Sequence, residues 1–380
     1  MSFELVCVQC GESQGTTEYR LHCNRCGGLL DVEYDIPAKV EDRIIPGATG
    51  IAKYIPTLPV RDPANLVTMG EGNTPIVPLP RVGQKLGLPK IYGKLEYFNP
   101  TGSFKDRGNA VQVSVLKDTG VTEVADTTGG NAGHSFAAYC ARAGIRFHGF
   151  AEETGASSRK IHAIALHGTQ MHWVSGDRSA RGEEARKYSE DAEVLHMNYG
   201  QNIYFIEGQK TMAYEIVEQL DPLPDHIIVP IGNGSIYQGL WKGFKEMLED
   251  GRVRRMPKLH GAQTEETQPM VAAFEGREWI QYEGEATSKA NGIGVPRQPR
   301  PEALLKAAKE SGGSFVAVSE DSLLLWQRRL AELEGLLVEP TSSIVLGAAQ
   351  NLRDRGIIAE SDIVLLPLTG FGIKEPIPGY

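Results

Sequence analysis

Two groups of residues in this chain have types and spacings that do chemistry. The first is a set of four cysteines near the N-terminus, Cys7, Cys10, Cys23 and Cys26. Each pair has Cys-x-x-Cys spacing, which aims two thiolates at one ion, and two such turns complete a tetrahedron around zinc. Gly11 and Gly27 follow the second cysteine of each pair, where a tight knuckle needs backbone freedom. Four thiolates leave no open position for substrate, so a zinc here is structural. The alternative is a ribbon that keeps its shape without metal, or reduced thiols in a hairpin. The fifth cysteine, Cys140, stands alone in an apolar helical pattern and reads as a buried, inert thiol. The second group centres on Lys105, in Asn99-Pro-Thr-Gly-Ser-Phe-Lys-Asp-Arg-Gly108. It follows a turn and opens a helix, among positive ends of peptide dipoles that lower an amine's pKa. A less basic amine is a better nucleophile at neutral pH and can bond a carbonyl carbon. A lone lysine of this kind is more often a surface charge, so the reading depends on what surrounds it.

Elements that can position such groups begin near residue 88. Short β-rich runs recur at Lys90 to Leu95, Glu123 to Ala125, Arg146 to Ala151, Gln170 to Val174, His226 to Pro230, Lys258 to Gly261, Phe315 to Val318 and Ile363 to Leu366. Helix-period segments lie between them, among them Asn131 to Ala143, Gly208 to Leu220, Ser235 to Glu249, Ser319 to Leu333 and Thr341 to Leu352. This alternation predicts an α/β fold of parallel sheets with helices on both faces. Ligands bind such sheets where strands end and helices begin, because helix N-termini present free N–H groups to anions. Four junctions fit: Pro100 to Lys105, Thr127 to Gly133, Ile231 to Ser235 and Leu368 to Gly372. In the third, Gly232-x-Gly234 begins like a dinucleotide fingerprint, but Tyr237 stands where its third glycine belongs. No Gly-x4-Gly-Lys-Ser/Thr phosphate loop is present.

The 380 residues suggest two or three domains. A formal charge of −9 argues against a nucleic-acid or anionic-membrane binder, which needs a basic excess. Apolar residues make up 41% of the chain, enough to bury sizeable cores. No apolar run reaches the roughly 18–20 residues that span a bilayer. The first residues lack the basic-then-apolar form of a signal peptide, so a soluble cytoplasmic protein is expected. Residues 36–80 are proline-rich and read as an extended arm rather than a packed helix. Residues 282–300 read as a mobile cover.

The lysine segment resembles the lysine motif of fold-type II pyridoxal-phosphate enzymes, threonine synthases in particular. Gly70-Glu-Gly-Asn-Thr-Pro75, Thr128-Gly-Gly-Asn-Ala-Gly133, Glu207-Gly-Gln-Lys-Thr211, Trp241-Lys-Gly-Phe-Lys-Glu246, Glu339-Pro-Thr-Ser342 and Thr369-Gly-Phe-Gly-Ile-Lys374 have counterparts there in the same order. The resemblance spans almost the whole chain and includes the cysteine ribbon of some threonine synthase-like and cysteate synthase-like proteins. It implies a zinc-ribbon-like segment at 1–35, a large α/β lobe from 36–103 and 201–380, and a small one at 104–200. The cofactor, pyridoxal 5'-phosphate, is implied to lie between the lobes of a homodimer's subunit. Lys105 would bond its aldehyde and shuttle the Cα proton of an amino-acid substrate, and Asn131 would hydrogen-bond its ring hydroxyl. Gly232, Asn233, Gly234 and Ser235 would offer amides to its phosphate. Thr369 would face the pyridine nitrogen with a neutral hydroxyl, which favours prompt loss of a leaving group over transamination. Thr127, Thr128 and Gly129 would hold the substrate carboxylate. Asp106 and Arg107 read as a solvated or structural ion pair.

The implied reaction is elimination or replacement at the β or γ carbon of an L-amino acid. The leading expectation is threonine synthase chemistry, O-phospho-L-homoserine and water giving L-threonine and phosphate. Cysteate synthase-like β-replacement and serine/threonine dehydration are the alternatives. Departures from the family pattern fall on the second phosphate site. Ala132 stands where a hydroxyl residue is common, Phe205 where arginine is common, and Phe371 where histidine is common. Arg159, Lys160, Lys210 and His134 are the cations considered as substitutes.

Overall fold

The N-terminal cysteine segment forms an antiparallel ribbon of β1 (Phe3–Cys7), β2 (Ser13–Gln14) and β3 (Leu30–Tyr34), in the order β2-β1-β3. Alternate residues of β1 are buried, so Phe3, Leu5 and Cys7 share one core face. The computed structural model describes residues 3–34, 44–155, 158–176, 178–280 and 288–375. Contacts sort the chain into two units, residues 1–73 with 105–211 and residues 74–104 with 212–380.

Along the chain, β4 (Ile76–Pro78), α1 (Pro80–Leu86) and β5 (Ile91–Lys94) precede α2 (Lys105–Asp118). Then come β6 (Glu123–Thr127), α3 (Asn131–Ala143), β7 (Arg146–Glu152), α4 (Arg159–Leu166), β8 (Gln170–Val174), α5 (Arg178–Asp191) and β9 (Leu195–His196). The first unit's sheet has the order β8-β7-β6-β9 and is parallel throughout. Residues Ile203–Gln219 form α6, followed by β10 (His226–Pro230), α7 (Ser235–Glu249), β11 (Lys258–Thr264), α8 (Pro269–Phe274) and α9 (Pro301–Ser311). The chain closes with β12 (Ser314–Val318), α10 (Glu320–Glu334), α11 (Pro340–Asp354) and β13 (Val364–Pro367). The second unit's sheet has the order β12-β11-β10-β13-β5-β4, and only β4 runs antiparallel. Its central strands β10 and β13 are buried at every residue, as strands covered on both faces must be.

The proline-rich stretch departs from the expected arm. Residues 35–43 lie outside those described, but Gly50–Thr57 form a 3-10 helix with Ile51, Tyr54 and Ile55 buried. Ile51, Leu58, Val60 and Val67 join the first unit's core, which also holds Val111 and Val115 of α2. Val67 N donates to Ser114 Oγ at 2.8 Å, and Arg61 pairs with Asp118 at 3.0 Å. The first unit therefore takes in residues up to Asn73, a different division from the expected 36–103 lobe.

A polar chain crosses the second sheet. His226 Nε2 lies 3.1 Å from Asp362, His226 Nδ1 lies 2.9 Å from His260 Nε2, and His260 Nδ1 lies 2.8 Å from Ser314 Oγ. The carboxylate fixes the proton on His226 Nε2, so His226 Nδ1 accepts from His260, whose Nδ1 accepts from the serine. Burial pushes the His260 pKa down to about 3 and lowers that of His226. A histidine held neutral in the folded state stabilises fully above its unfolded pKa near 6.5 and loses that contribution as pH falls toward the folded value. The unfolding free energy is expected to drop by about 1.4 kcal/mol per pH unit on account of His260 once pH falls well below 6.5. Urea titrations at pH 7 and pH 5 measure this, and His260→Asn should flatten the slope. Equal wild-type stability at both pH values would remove the effect.

Candidate active site

Lys105 opens α2, and its side chain is half-buried. Nζ donates to the Tyr199 hydroxyl at 2.8 Å and lies 5.3 and 5.6 Å from the ring centroids of Tyr199 and Phe205. The two rings meet edge to face, 4.9 Å apart. Tyr199 is placed by its own amide, which donates to Asp126 Oδ2 at 2.9 Å, next to the end of β6. Phe205 is buried because Gly108 leaves room for it; a Cβ there would stand 2.4 Å from the ring. Gly208 does the same for the backbone, since its Cβ would meet the Arg107 carbonyl oxygen at 2.1 Å. Asp106 and Arg107 are fully buried, which corrects the solvated reading. Asp106 accepts from the Ser135 hydroxyl, and Arg107 donates to Thr211 Oγ1 at 3.1 Å.

The loop between β6 and α3 carries Thr127, Thr128, Gly129 and Gly130, and Asn131 is the first residue of α3. Gly130 is the helix cap in an extended conformation. The loop is tied to α2, since Asn109 Nδ2 donates to the Ala132 carbonyl at 3.3 Å. The first turn of α3 thus offers its amides on the same side of the first unit as the lysine's helix.

In the second unit, β10 runs into Ile231, Gly232, Asn233 and Gly234, and Ser235 begins α7. Gly234 has φ +84°, and a Cβ there would lie 2.5 Å from Leu304. A Cβ on Gly232 would lie 2.9 Å from the Gly292 carbonyl oxygen. The segment from Ser288 onward braces this loop, with Gln298 Nε2 donating to the Gly232 carbonyl at 3.1 Å. Part of the cover expected at 282–300 is therefore packed structure; residues 281–287 lie outside those described. The amides of 232–235 donate to no acceptor among the described residues, and the 15-residue helix behind them adds its dipole. Thr369 follows β13, the strand adjacent to β10, and its hydroxyl lies 2.9 Å from Ser342 Oγ. Ser342 also accepts from the Gly370 amide at 2.8 Å. The Thr369 carbonyl accepts from Phe104 N at 3.0 Å, and Phe104 directly precedes Lys105. Within the second unit, free amides at a loop where Gly232 and Gly234 leave no room for a Cβ have the donor chemistry a phosphate requires, and the Lys105 amine of the first unit has the chemistry an aldehyde requires.

Residues 67–370 match the family described as pyridoxal-phosphate dependent enzyme. The chain belongs to this family. It is 34% identical to the threonine synthase of Methanocaldococcus jannaschii, over 97% of this chain and 92% of that protein. It is 34% identical to the threonine synthase of Methanosarcina acetivorans, over 98% and 93%. Maize serine racemase aligns with a TM-score of 0.68 at 19% identity, over 80% of this chain and 90% of that one. The processed form of threonine deaminase isoform 2 from Solanum lycopersicum aligns with a TM-score of 0.67 at 18% identity, over 78% and 79%. These structures establish the fold, that of fold-type II pyridoxal-phosphate enzymes. The chain is a pyridoxal-phosphate-dependent lyase of the threonine synthase-like group.

Phe205 and Tyr199 line the lysine with aromatic rings; from sequence Phe205 was noted only for standing where arginine is common, and Tyr199 was not singled out. Ser342 was visible only as part of a quoted motif. Lys210, considered as a substitute cation, is fully buried; it pairs with Glu207 at 2.7 Å and lies 4.1 Å from the Tyr34 ring centroid. Arg159 is exposed on α4.

The four N-terminal cysteines also converge. Their sulfur atoms all lie within 4.8 Å of one another, with separations such as 3.5 Å for Cys7 to Cys26 and 3.4 Å for Cys10 to Cys26. None forms a disulfide. The Cys10 amide helps pull the Cys7 thiol down to about 6. Sulfurs about 2.3 Å from one zinc ion stand at these separations, so the donor set fits the metal. Cys140 is buried, and burial raises its thiol, as expected for an inert core cysteine. No helix among the described residues is long and apolar enough to cross a membrane.

Proposed function

We propose that the chain catalyses elimination or replacement at the β or γ carbon of an L-amino acid, with O-phospho-L-homoserine and water giving L-threonine and phosphate as the first reaction to assay. The supporting observation is the near full-length likeness to threonine synthases combined with the amine of Lys105 at the start of α2. When bound, pyridoxal phosphate supplies an electron-withdrawing ring that acidifies the substrate's Cα–H bond. Lys105 would hold the cofactor through Nζ, and the same atom would take up and return the substrate's Cα proton. The Tyr199 hydroxyl holds Nζ in place, and the Phe205 ring keeps bulk water from it. Asn131 would hold the cofactor ring, and the amides of Gly232, Asn233, Gly234 and Ser235 would hold its phosphate. Thr369, fixed by Ser342, would offer the cofactor ring a neutral oxygen, which would not force the ring nitrogen to be protonated. Thr127, Thr128 and Gly129 take the substrate carboxylate.

Phe205 and Ala132 favour a second reading, in which the leaving group is not phosphate and the reaction is a β-replacement or a serine/threonine dehydration. The assay is release of phosphate and threonine from O-phosphohomoserine, run beside keto-acid release from serine and threonine. Phosphate release with threonine formation supports the first reading, and 2-oxobutyrate from threonine supports the second. Inertness toward all of these, together with a colourless protein, would remove both.

The ribbon cysteines Cys7, Cys10, Cys23 and Cys26 are proposed to hold one structural zinc. Purified protein should carry about one equivalent, and Cys10→Ser should lose it and lower the melting temperature, because Cys7 and Cys23 belong to the first unit's core. Metal analysis before and after a thiol-competing chelator measures this. A homodimer is the proposed assembly, read by sedimentation.

A further inference from the structure

The β6–α3 loop faces a cation that the reaction described above does not use. A Cβ on Gly129 would stand 3.6 Å from Arg181 Nη1, so the guanidinium of α5 reaches the glycine that precedes the α3 cap. Among the described residues Arg181 has no hydrogen-bond or ion-pair partner, and its Nε is buried. Thr128 is 5% exposed, and its Oγ1 has no partner either. That oxygen lies against the first turn of α3, where a Cβ on Gly133 would stand only 1.8 Å from it. Gly129 and Gly133 together keep side chains away from a guanidinium, a hydroxyl and the amides of a 13-residue helix N-terminus. The acid beside the loop is already engaged: Asp126 accepts from the amides of Thr127 and Tyr199 and lies 3.9 Å from His196.

A buried guanidinium nitrogen and a buried hydroxyl without partners are costly in the free protein, and an oxyanion removes both costs. We propose that Arg181, the Thr128 hydroxyl and the amides opening α3 form an oxyanion subsite for an anionic group of the amino-acid substrate. This rests on the lyase reading above and extends it by naming the cation. The guanidinium comes from α5, which packs on β6 and β7. The oxygen atoms bound there belong either to the substrate's α-carboxylate or to an anionic group on its side chain. Both present the same paired oxygens to the arginine fork.

The test uses the full-length, cofactor-loaded chain with Arg181→Gln and Arg181→Lys. Both variants should keep the visible cofactor band and the melting temperature, because Arg181 has no partner to lose. Ligand affinity is read from the absorbance change on titration with L-alanine and with O-phospho-L-serine, and by calorimetry with inorganic phosphate. Arg181→Gln is expected to weaken binding of at least one amino acid 10- to 100-fold, and Arg181→Lys to recover part of it. Equal weakening for both amino acids assigns the subsite to the α-carboxylate. Weakening confined to O-phosphoserine, with parallel loss of phosphate binding, assigns it to a side-chain anion. Unchanged affinity for all three ligands overturns the proposal. A wild-type chain without any cofactor band would sink the lyase reading instead, and phosphate calorimetry on wild type and Arg181→Gln would still decide the role of Arg181.

Discussion

Replacing Lys105 with alanine is expected to abolish the visible absorbance of the cofactor-loaded protein and to lower turnover by roughly four orders of magnitude. Two losses combine in this substitution: the covalent handle for the aldehyde, and the base for the Cα proton, which alone contributes typically 10²- to 10⁴-fold. The fold should survive, because the side chain is half-buried at the first position of α2 and alanine is a good helix former. Borohydride trapping followed by mass spectrometry locates the bond. Modification at position 105 in wild type, absent in the variant, is the expected pair of results. Retention of a visible band in Lys105→Ala would assign the aldehyde to another amine. Tyr199→Phe is the informative companion. It keeps the ring and removes the hydroxyl 2.8 Å from Nζ, so the band should persist while the pH at which it changes moves. A truly passive tyrosine would leave both band and pH dependence untouched.

How far the sequence reached depended on how strongly each residue was constrained by its immediate neighbours. Asn131 to Ala143 and Ser235 to Glu249 match α3 and α7 at both ends, because each follows a strand and a glycine-bearing loop that forces the chain to turn. The strand Gln170–Val174 and the strand His226–Pro230 were legible for the same reason, with turn or proline signals at their margins. The polar helix α5 was not legible, since residues such as Arg181, Glu183, Glu184 and Arg186 carry no apolar period, while Ala185 is buried in a small core with Tyr188 packed against it. Its missing signal is also why Arg181 went unnoticed beside Gly129. The Gly50–Thr57 helix was hidden by Pro56, which forbids an ordinary α-helix interior but not a tighter turn. Lys105 and Gly232 to Ser235 lie in short local motifs, so the helix starts that carry them could be read directly. Tyr199 depends on a contact 94 residues away in the chain, and Phe205 on the absence of a side chain at Gly108, so neither is a local pattern.

The second large effect is expected in the loop of 232–235, the proposed phosphate cradle. Gly232→Ala places a Cβ 2.9 Å from the Gly292 carbonyl oxygen and 3.2 Å from Ile293 Cα, and neither backbone atom can swing aside as a side chain does. Gly234→Ala meets the flexible end of Leu304, but its φ of +84° imposes strain of about 1–2 kcal/mol on any residue with a Cβ. In both variants the four amides that cap α7 are displaced relative to one another. At about 1.4 kcal/mol per factor of ten, each variant should bind pyridoxal phosphate roughly 10- to 100-fold more weakly, with a smaller loss of stability. Absorbance titration of cofactor-free protein measures the affinity, and urea unfolding measures the stability. Gly251→Ala separates strain from site, because Gly251 has a similar φ of +79° with nothing near its absent Cβ. It should lose comparable stability and no cofactor affinity. If Gly232→Ala and Gly234→Ala bound the cofactor as tightly as Gly251→Ala does, the phosphate would have to lie elsewhere, and the free amides at 232–235 would need another occupant.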